Sequence, residues 1–284
     1  MRFIIGNIIV IGCVLGGYVL HHGNLAVLYQ PTEYLIIIGA ALGSYLIANP
    51  GYVIKGALKN LKSLLKNAPY KKQDYIDLLR FQYAIFKMMK TKGLLEVEKH
   101  IEEPHSSDLF GAYPAVLKDH HVTDFICDYI RLMTMGVENK YQLEDMMDAQ
   151  LEQHHHECAE IAGSVVTVGD AFPAIGIVAA VLGVIITMGS ISEPPEILGG
   201  LIGAALVGTF LGILISYGFV GPMGKFMGSY FELEGKYYEC IKIGLLAHVD
   251  GNAPAVSVEF ARKVIPSNVM PSFKEMEDAL AAAT

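Results

Sequence analysis

The chain has 284 residues, 52% of them apolar and only 18% charged, with 29 glycines, no tryptophan and a mean hydropathy of +0.40. Soluble domains run at about 45–50% apolar and about 25% charged, and here the excess is concentrated in stretches too long for core strands. That excludes a purely soluble domain, a disordered chain and a collagen-like one, and the net charge of −8 argues against nucleic acid as the main partner.

Four stretches are long and apolar enough for membrane helices, which need about twenty residues to cross the hydrocarbon. The first, Phe3 to Leu20, is read as a retained span, because no small-x-small cleavage site precedes His21 and His22. The second runs from Tyr34 to Ala48; it is short, and is expected to extend through Asn49-Pro50 toward Val53. The insertion that follows reads as helical. Tyr75, Leu78, Leu79, Tyr83 and Phe86 fall at three- and four-residue steps between Lys71 and Met89, and Phe125, Ile126, Tyr129 and Met133 repeat the pattern between Val122 and Met135. Lys140 to Cys158 continues it. The third span is Ala171 to Met188 and the fourth Leu198 to Val220. A further helix is expected over Phe226 to Leu246, after which Pro254, Pro266 and Pro271 act as breaks.

Basic residues set the orientation. Fourteen of the 21 Lys and Arg lie between Gly51 and Val168, six follow Pro222, and Arg2 precedes the first span; the connections His21–Thr32 and Gly189–Ile197 hold none. Positive residues stay on the cytoplasmic side, which puts both termini there. The expected fold is an all-α membrane protein in four parts: spans 1 and 2 in residues 1–50, a cytoplasmic helical insertion at 51–168, spans 3 and 4 in 169–222, and cytoplasmic helices at 223–284.

No Asp, Glu, Lys, Arg or His lies within the four stretches as bounded, so the chain alone is expected to be a poor proton relay at mid-depth. Its polar groups there are hydroxyls, among them Thr187, Thr209, Ser216 and Tyr217. Small residues recur at four-residue steps, Gly200, Ala204, Gly208, Gly212 and Ser216 on the fourth span and Gly176, Ala180, Gly183 and Thr187 on the third. They suit close packing within one chain or between copies. Asp170 reads either as an N-terminal helix carboxylate favoured by the macrodipole or as a gate on the cytoplasmic side. Pro173 and Pro222 read as a kink or hinge in the third span and as the end of the fourth.

The run His154-His155-His156 invites a metal reading, but consecutive helical residues diverge, and a solvated face is the expectation. Four cysteines without CxxC spacing are expected to be free thiols. There is no nucleotide-binding loop, GxSxG or HExxH motif, and no enzyme or cofactor is expected. Between Lys87 and Glu103 a basic group (Lys87, Lys90, Lys92) adjoins an acidic one (Glu96, Glu98, Glu102, Glu103), either a solvated face or a surface that steers a charged partner.

The segments VGDAFPAIGIVAAVLGVI, VGTFLGILISYGFVGP and LGGYVLHHGNLAVLYQPTEYLIIIGAALGSY, with YPAVLKD and NAPAVSVEFARKVI, resemble the MotA family of flagellar stator subunits over nearly the whole chain, its lateral-flagellar form LafT above all. The resemblance implies a pentameric ring in the bacterial inner membrane around two MotB-like single-span chains, whose aspartate would supply the missing carboxylate. It also implies torque on the rotor protein FliG through the positions matching Lys90 and Glu98. The first of these is usually Arg, so the charge is kept and bidentate pairing lost; a third family acid is replaced by Gln150. Pro173 and Pro222 match the family's mechanically important prolines. The ion pathway is expected to pass Ala180, Thr209, Asp170 and Tyr217. Sodium-type relatives carry Thr at the position of Ala180, and its absence predicts H+ as the transported ion. The related ExbB/TolQ energisers form the alternative; their three spans and differently placed loop fit less well.

Overall fold

In the computed structural model the described residues are 2–66, 68–137 and 139–281. Met1 and residues 282–284, assigned to the two cytoplasmic ends from sequence, lie outside them. The described residues form helices α1 Arg2–Leu20, α2 Pro31–Ala48, α3 Gly51–Asn60, α4 Lys72–Lys92, α5 Leu94–Glu102, α6 Asp108–Gly111, α7 Pro114–Leu117, α8 His120–Thr134, α9 Lys140–Met188, α10 Pro195–Ile213, α11 Gly221–Val249, α12 Pro254–Lys263 and α13 Phe273–Ala281, with no strand among them. Four helical stretches are long and apolar enough to cross a membrane: Arg2–Leu20, Leu25–Ala48, Lys140–Met188 and Pro195–Val249. The chain divides into two compact units, residues 1–67 with 156–231, and 68–155 with 232–284.

The first unit contains Arg2–Leu20 and Leu25–Ala48 whole, with residues 156–188 and 195–231 of the other two apolar stretches. α1 matches the expected span and buries no residue, so its apolar surface is presented all round. α2 differs from expectation at both ends. It stops at Ala48, because Asn49, which precedes Pro50, is forced into extended backbone (φ −119°, ψ 137°). It starts three residues early at Pro31, whose missing N–H costs nothing in a first turn. Ile37 and Ala41 of α2, Phe172 and Ala179 of α9, and Val207 and Leu211 of α10 make one buried cluster.

Glycines bring α9 and α10 together. A methyl group on Gly176 would lie 2.7 Å from the Gly208 carbonyl oxygen, and one on Gly212 would lie 2.6 Å from the Phe172 oxygen. Gly183 meets Ala205 in the same way, at 2.7 Å from its Cβ. The two small-residue stripes therefore pack within one chain at these positions, although Gly199 and Gly200 face open space in the single chain.

α9 is a single 49-residue helix. Asp170 lies thirty residues inside it, which removes the reading of Asp170 as an N-terminal carboxylate: the polar lead-in from Lys140 is already helical, and Pro173 interrupts one backbone bond without ending the helix. Pro222 does not end its helix either. After Ile213 the chain winds through a π-helical segment, Leu214–Val220, and continues as α11. Pro222 cannot donate to the carbonyl four residues back, and the turn before it widens, with Gly221 N–H reaching Ser216 O.

The second unit has an ordinary aqueous-type core. Tyr75, Leu78, Leu79 and Phe86 of α4 and Phe125, Ile126, Tyr129 and Met133 of α8 are all buried, as their spacing requires. Tyr70 stacks on Tyr237 at 3.7 Å and donates to Asp119 Oδ2 at 2.8 Å. Pro254 opens α12 rather than breaking a helix. The cysteines are free: Cys127 and Cys240 are buried, and burial pushes the Cys127 thiol up to about 12.

The α9–α10 contact predicts that Gly176→Val lowers the unfolding midpoint of the detergent-solubilised protein, since overpacking a closed backbone contact costs about 1–3 kcal/mol. Gly39→Ala, where nothing lies within 4 Å, leaves the midpoint unchanged or raises it.

Candidate functional site

Two groups of predicted residues occupy the first unit. Gly208 packs on α9 so closely that its absent Cβ position is 3.1 Å from Ala179 Cβ and 3.2 Å from the Ala180 nitrogen. That contact puts the half-buried Ala180 and Thr209 at one level of the helix pair. The other group lies about 15 Å along α9, ten residues at 1.5 Å each. There Gly169 meets Gly221, its Cβ position 3.1 Å from the Gly221 nitrogen, which places Asp170 near the level of Pro222, while Pro173 follows Phe172, whose carbonyl oxygen faces Gly212. Asp170 is exposed, and Tyr217 in the π-helical segment is 68% exposed. Ser216 beside it is buried and its hydroxyl has no hydrogen-bond partner among the described residues.

Glu33 is a residue that the sequence reading passed over. It sits in the first turn of α2, where Pro31 and Thr32 precede it, and is 7% exposed. It shares one face of α2 with Ile37 and Ala41, both fully buried, at four-residue steps. Its Oε2 lies 2.5 Å from the position a Gly208 Cβ would take, and its Oε1 lies 3.7 Å from that of Gly183. The statement that the spans hold no ionisable group is corrected: the second helix begins earlier than its apolar run, and an acid occupies a core position of it. The periodicity Glu33, Ile37, Ala41 was the available signal.

In the second unit, Lys90 lies in the last turn of α4 and Glu98 on α5, and both are exposed. The helices are separated by Gly93, whose φ of +83° a side chain would oppose. Among the described residues neither Lys90 nor Glu98 makes an ion pair, whereas Glu96 pairs with Lys99 at 3.0 Å and Glu102 with Arg131 at 2.8 Å. Gln150 accepts a hydrogen bond from the Tyr129 hydroxyl at 2.7 Å. Of the histidine run, His154 lies against the Tyr238 ring at 5.7 Å, and His155 and His156 are exposed. No group of three His, Cys, Asp or Glu among the described residues is placed to hold a metal ion.

Lys90 also lines a cavity of about 390 Å³ with Met89, Leu94, Met133 and His248. His248 stacks on Phe86 at 4.6 Å. Burial, and then the Lys90 charge, hold its imidazole below the usual 6.5.

A family model for the motility protein A N-terminal region matches residues 4–93, and one for the MotA/TolQ/ExbB proton channel family matches residues 118–239. Motility protein A of Escherichia coli is 42% identical over 99% of this chain and 96% of its own length. The chain belongs to the MotA family. Chemotaxis protein LafT of Vibrio parahaemolyticus is 34% identical over 99% of both chains. Among solved structures, that of C. jejuni MotAB aligns with a TM-score of 0.79 at 19% identity, over 96% of this chain and 99% of that one. The flagellar MotAB stator complex from Bacillus subtilis aligns at 0.75 and 24% identity, over 99% and 98%. Family membership covers both halves of the site: the N-terminal match includes Glu33 and Lys90, and the channel match includes Asp170, Ala180, Thr209 and Tyr217.

The His248 environment carries a pH prediction. Its folded value lies below its unfolded value, so the unfolded chain binds more protons between the two, and stability falls as the pH drops below about 6.5. Wild type therefore loses more thermal stability between pH 7.5 and 5.5 than His248→Gln does; equal losses would assign the acid sensitivity to other groups.

Proposed function

We propose that this chain is the ring-forming, ion-conducting subunit of a bacterial flagellar stator, coupling proton flow to rotation about a MotB-like dimer and to torque on FliG. The observation that carries the reading is identity of 42% with a motility protein A over 99% of the chain, with no part of the channel or of the charged lobe left out. The motility-specific match over residues 4–93 favours this over an ExbB/TolQ-type energiser.

In this reading the protein sits in the inner membrane with four spans and both termini cytoplasmic. Residues 51–168 and 223–284 form the cytoplasmic part and 1–50 with 169–222 the membrane part. The exposed apolar surface supports assembly: Ile8 of α1 is 64% exposed and Ile47 of α2 89%. Such surface meets lipid, neighbouring copies in a pentamer, or the partner's single spans. Ions pass along the α9–α10 face, by Ala180 and Thr209, toward Asp170 and Tyr217 at the cytoplasmic side. Ala180 offers no oxygen there, which suits a proton, needing one acceptor, over sodium, needing several ligands. Pro173 and Pro222 carry the conformational change toward the rotor-facing lobe. Lys90 and Glu98, exposed and without ion pairs among the described residues, meet complementary charges on FliG.

Reversing both charges, Lys90→Glu with Glu98→Lys, is expected to abolish or strongly reduce swimming while the amount of protein in the membrane stays the same. Unaltered swimming removes these residues from the rotor contact. Swimming driven by the unmodified protein is expected to persist in sodium-free medium; a sodium requirement would overturn proton coupling.

A further inference from the structure

Glu33 is a buried acid that the proposed mechanism does not use, and its surroundings are unusual for a carboxylate. One of its oxygens is completely buried without a hydrogen-bond partner among the described residues. It is aimed between α9 and α10, into space that exists because Gly208 has no side chain. Gly183 is five residues from the end of α9, about 8 Å along the axis, so the carboxyl lies below the rim of the bundle. The glycine it abuts is the same Gly208 that packs on Ala179 and Ala180 and precedes Thr209.

No neighbouring charge is available to neutralise it. The stretches packed around it, Ala171–Met188 and Ile197–Ile213, contain no charged residue, and neither does Leu25–Leu28 before α2. On its own helix, Tyr34 donates to the Leu28 carbonyl at 3.0 Å. The titratable groups of the two short connections, His21, His22, Tyr29, Glu193 and Glu196, are exposed. An isolated carboxylate in such a site is strongly disfavoured, and the means of removing the charge is a proton.

We infer that Glu33 is a proton-binding site of this subunit itself, a second carboxyl on the ion path that takes a proton on the outer side of the Ala180–Thr209 level before the partner's carboxylate receives it. A proton from water forms an O–H bond on the buried oxygen and leaves the acid neutral. Release to a water or to an ionised carboxylate reverses the step, so the group ends each cycle unchanged. This rests on the stator reading for the direction of flow, and on the geometry alone for the binding.

The test is infrared spectroscopy of the chain with its MotB-like partner in lipid bilayers at neutral pH, alongside swimming assays. The difference between wild type and Glu33→Gln is expected to contain a protonated-carboxyl C=O band, and Glu33→Gln is expected to slow swimming severalfold at unchanged membrane content. Gly208→Ala, which puts a methyl group on the Oε2 position, is expected to shift that band without removing it. A difference spectrum lacking the band overturns the inference, as does full swimming speed in Glu33→Gln. If the wild type itself fails to drive swimming, the stator reading falls, while the carboxyl band still decides whether Glu33 holds a proton.

Discussion

The membrane part depends on how closely two backbones approach. Lipid provides no hydrophobic drive for helices to associate, so α9 and α10 are held by dispersion over surfaces that touch directly. Gly176, Gly208 and Gly212 make that possible, each standing where a methyl group would meet carbonyl oxygen or backbone. Ile37 and Ala41 of α2 then close over the pair with Phe172, Ala179, Val207 and Leu211. The other compact unit obeys a different rule: it is water-facing in composition and is stabilised by burying a continuous set of aromatic and aliphatic side chains from α4, α8 and α11.

Gly208 does two jobs. It brings α10 against α9, and it leaves a slot into which the Glu33 carboxyl fits from α2. A side chain at Gly208 would therefore tighten a contact and displace an acid at once. Placing that acid on the core face of α2, one turn from Ile37, ties its geometry to helix packing rather than to a loop.

Much of the helical architecture was legible because periodicity reports burial. The faces of α4 and α8 follow from Tyr75, Leu78, Leu79, Phe125 and Ile126, and α1 from its apolar run. Three features were not legible, each for a physical reason. The length of α9 was hidden because hydropathy changes along it from polar to apolar, while backbone hydrogen bonding does not change at all. Glu33 was hidden because an acid after Pro-Thr reads as part of a connection, although its four-residue spacing to Ile37 and Ala41 puts it on the buried stripe. The environment of His248 depends on Phe86 and Lys90, both far from it in sequence. The charge run near Lys90 was visible in composition, but only the structure separates Glu98 from the already paired Glu96 and Glu102.

The widened turn at Leu214–Val220 has a consequence for how this chain tolerates length changes. A loop closed from residue i to i+5 stores one residue more than an α-helical turn. Deleting a single residue there would let the helix revert to ordinary winding, leaving Gly212 on its α9 contact and the residues after Pro222 in their present orientation. The same deletion inside α9 would rotate everything beyond it by roughly 100°. The segment is thus the one widened stretch of the run from Pro195 to Val249, immediately ahead of Gly221 and Pro222.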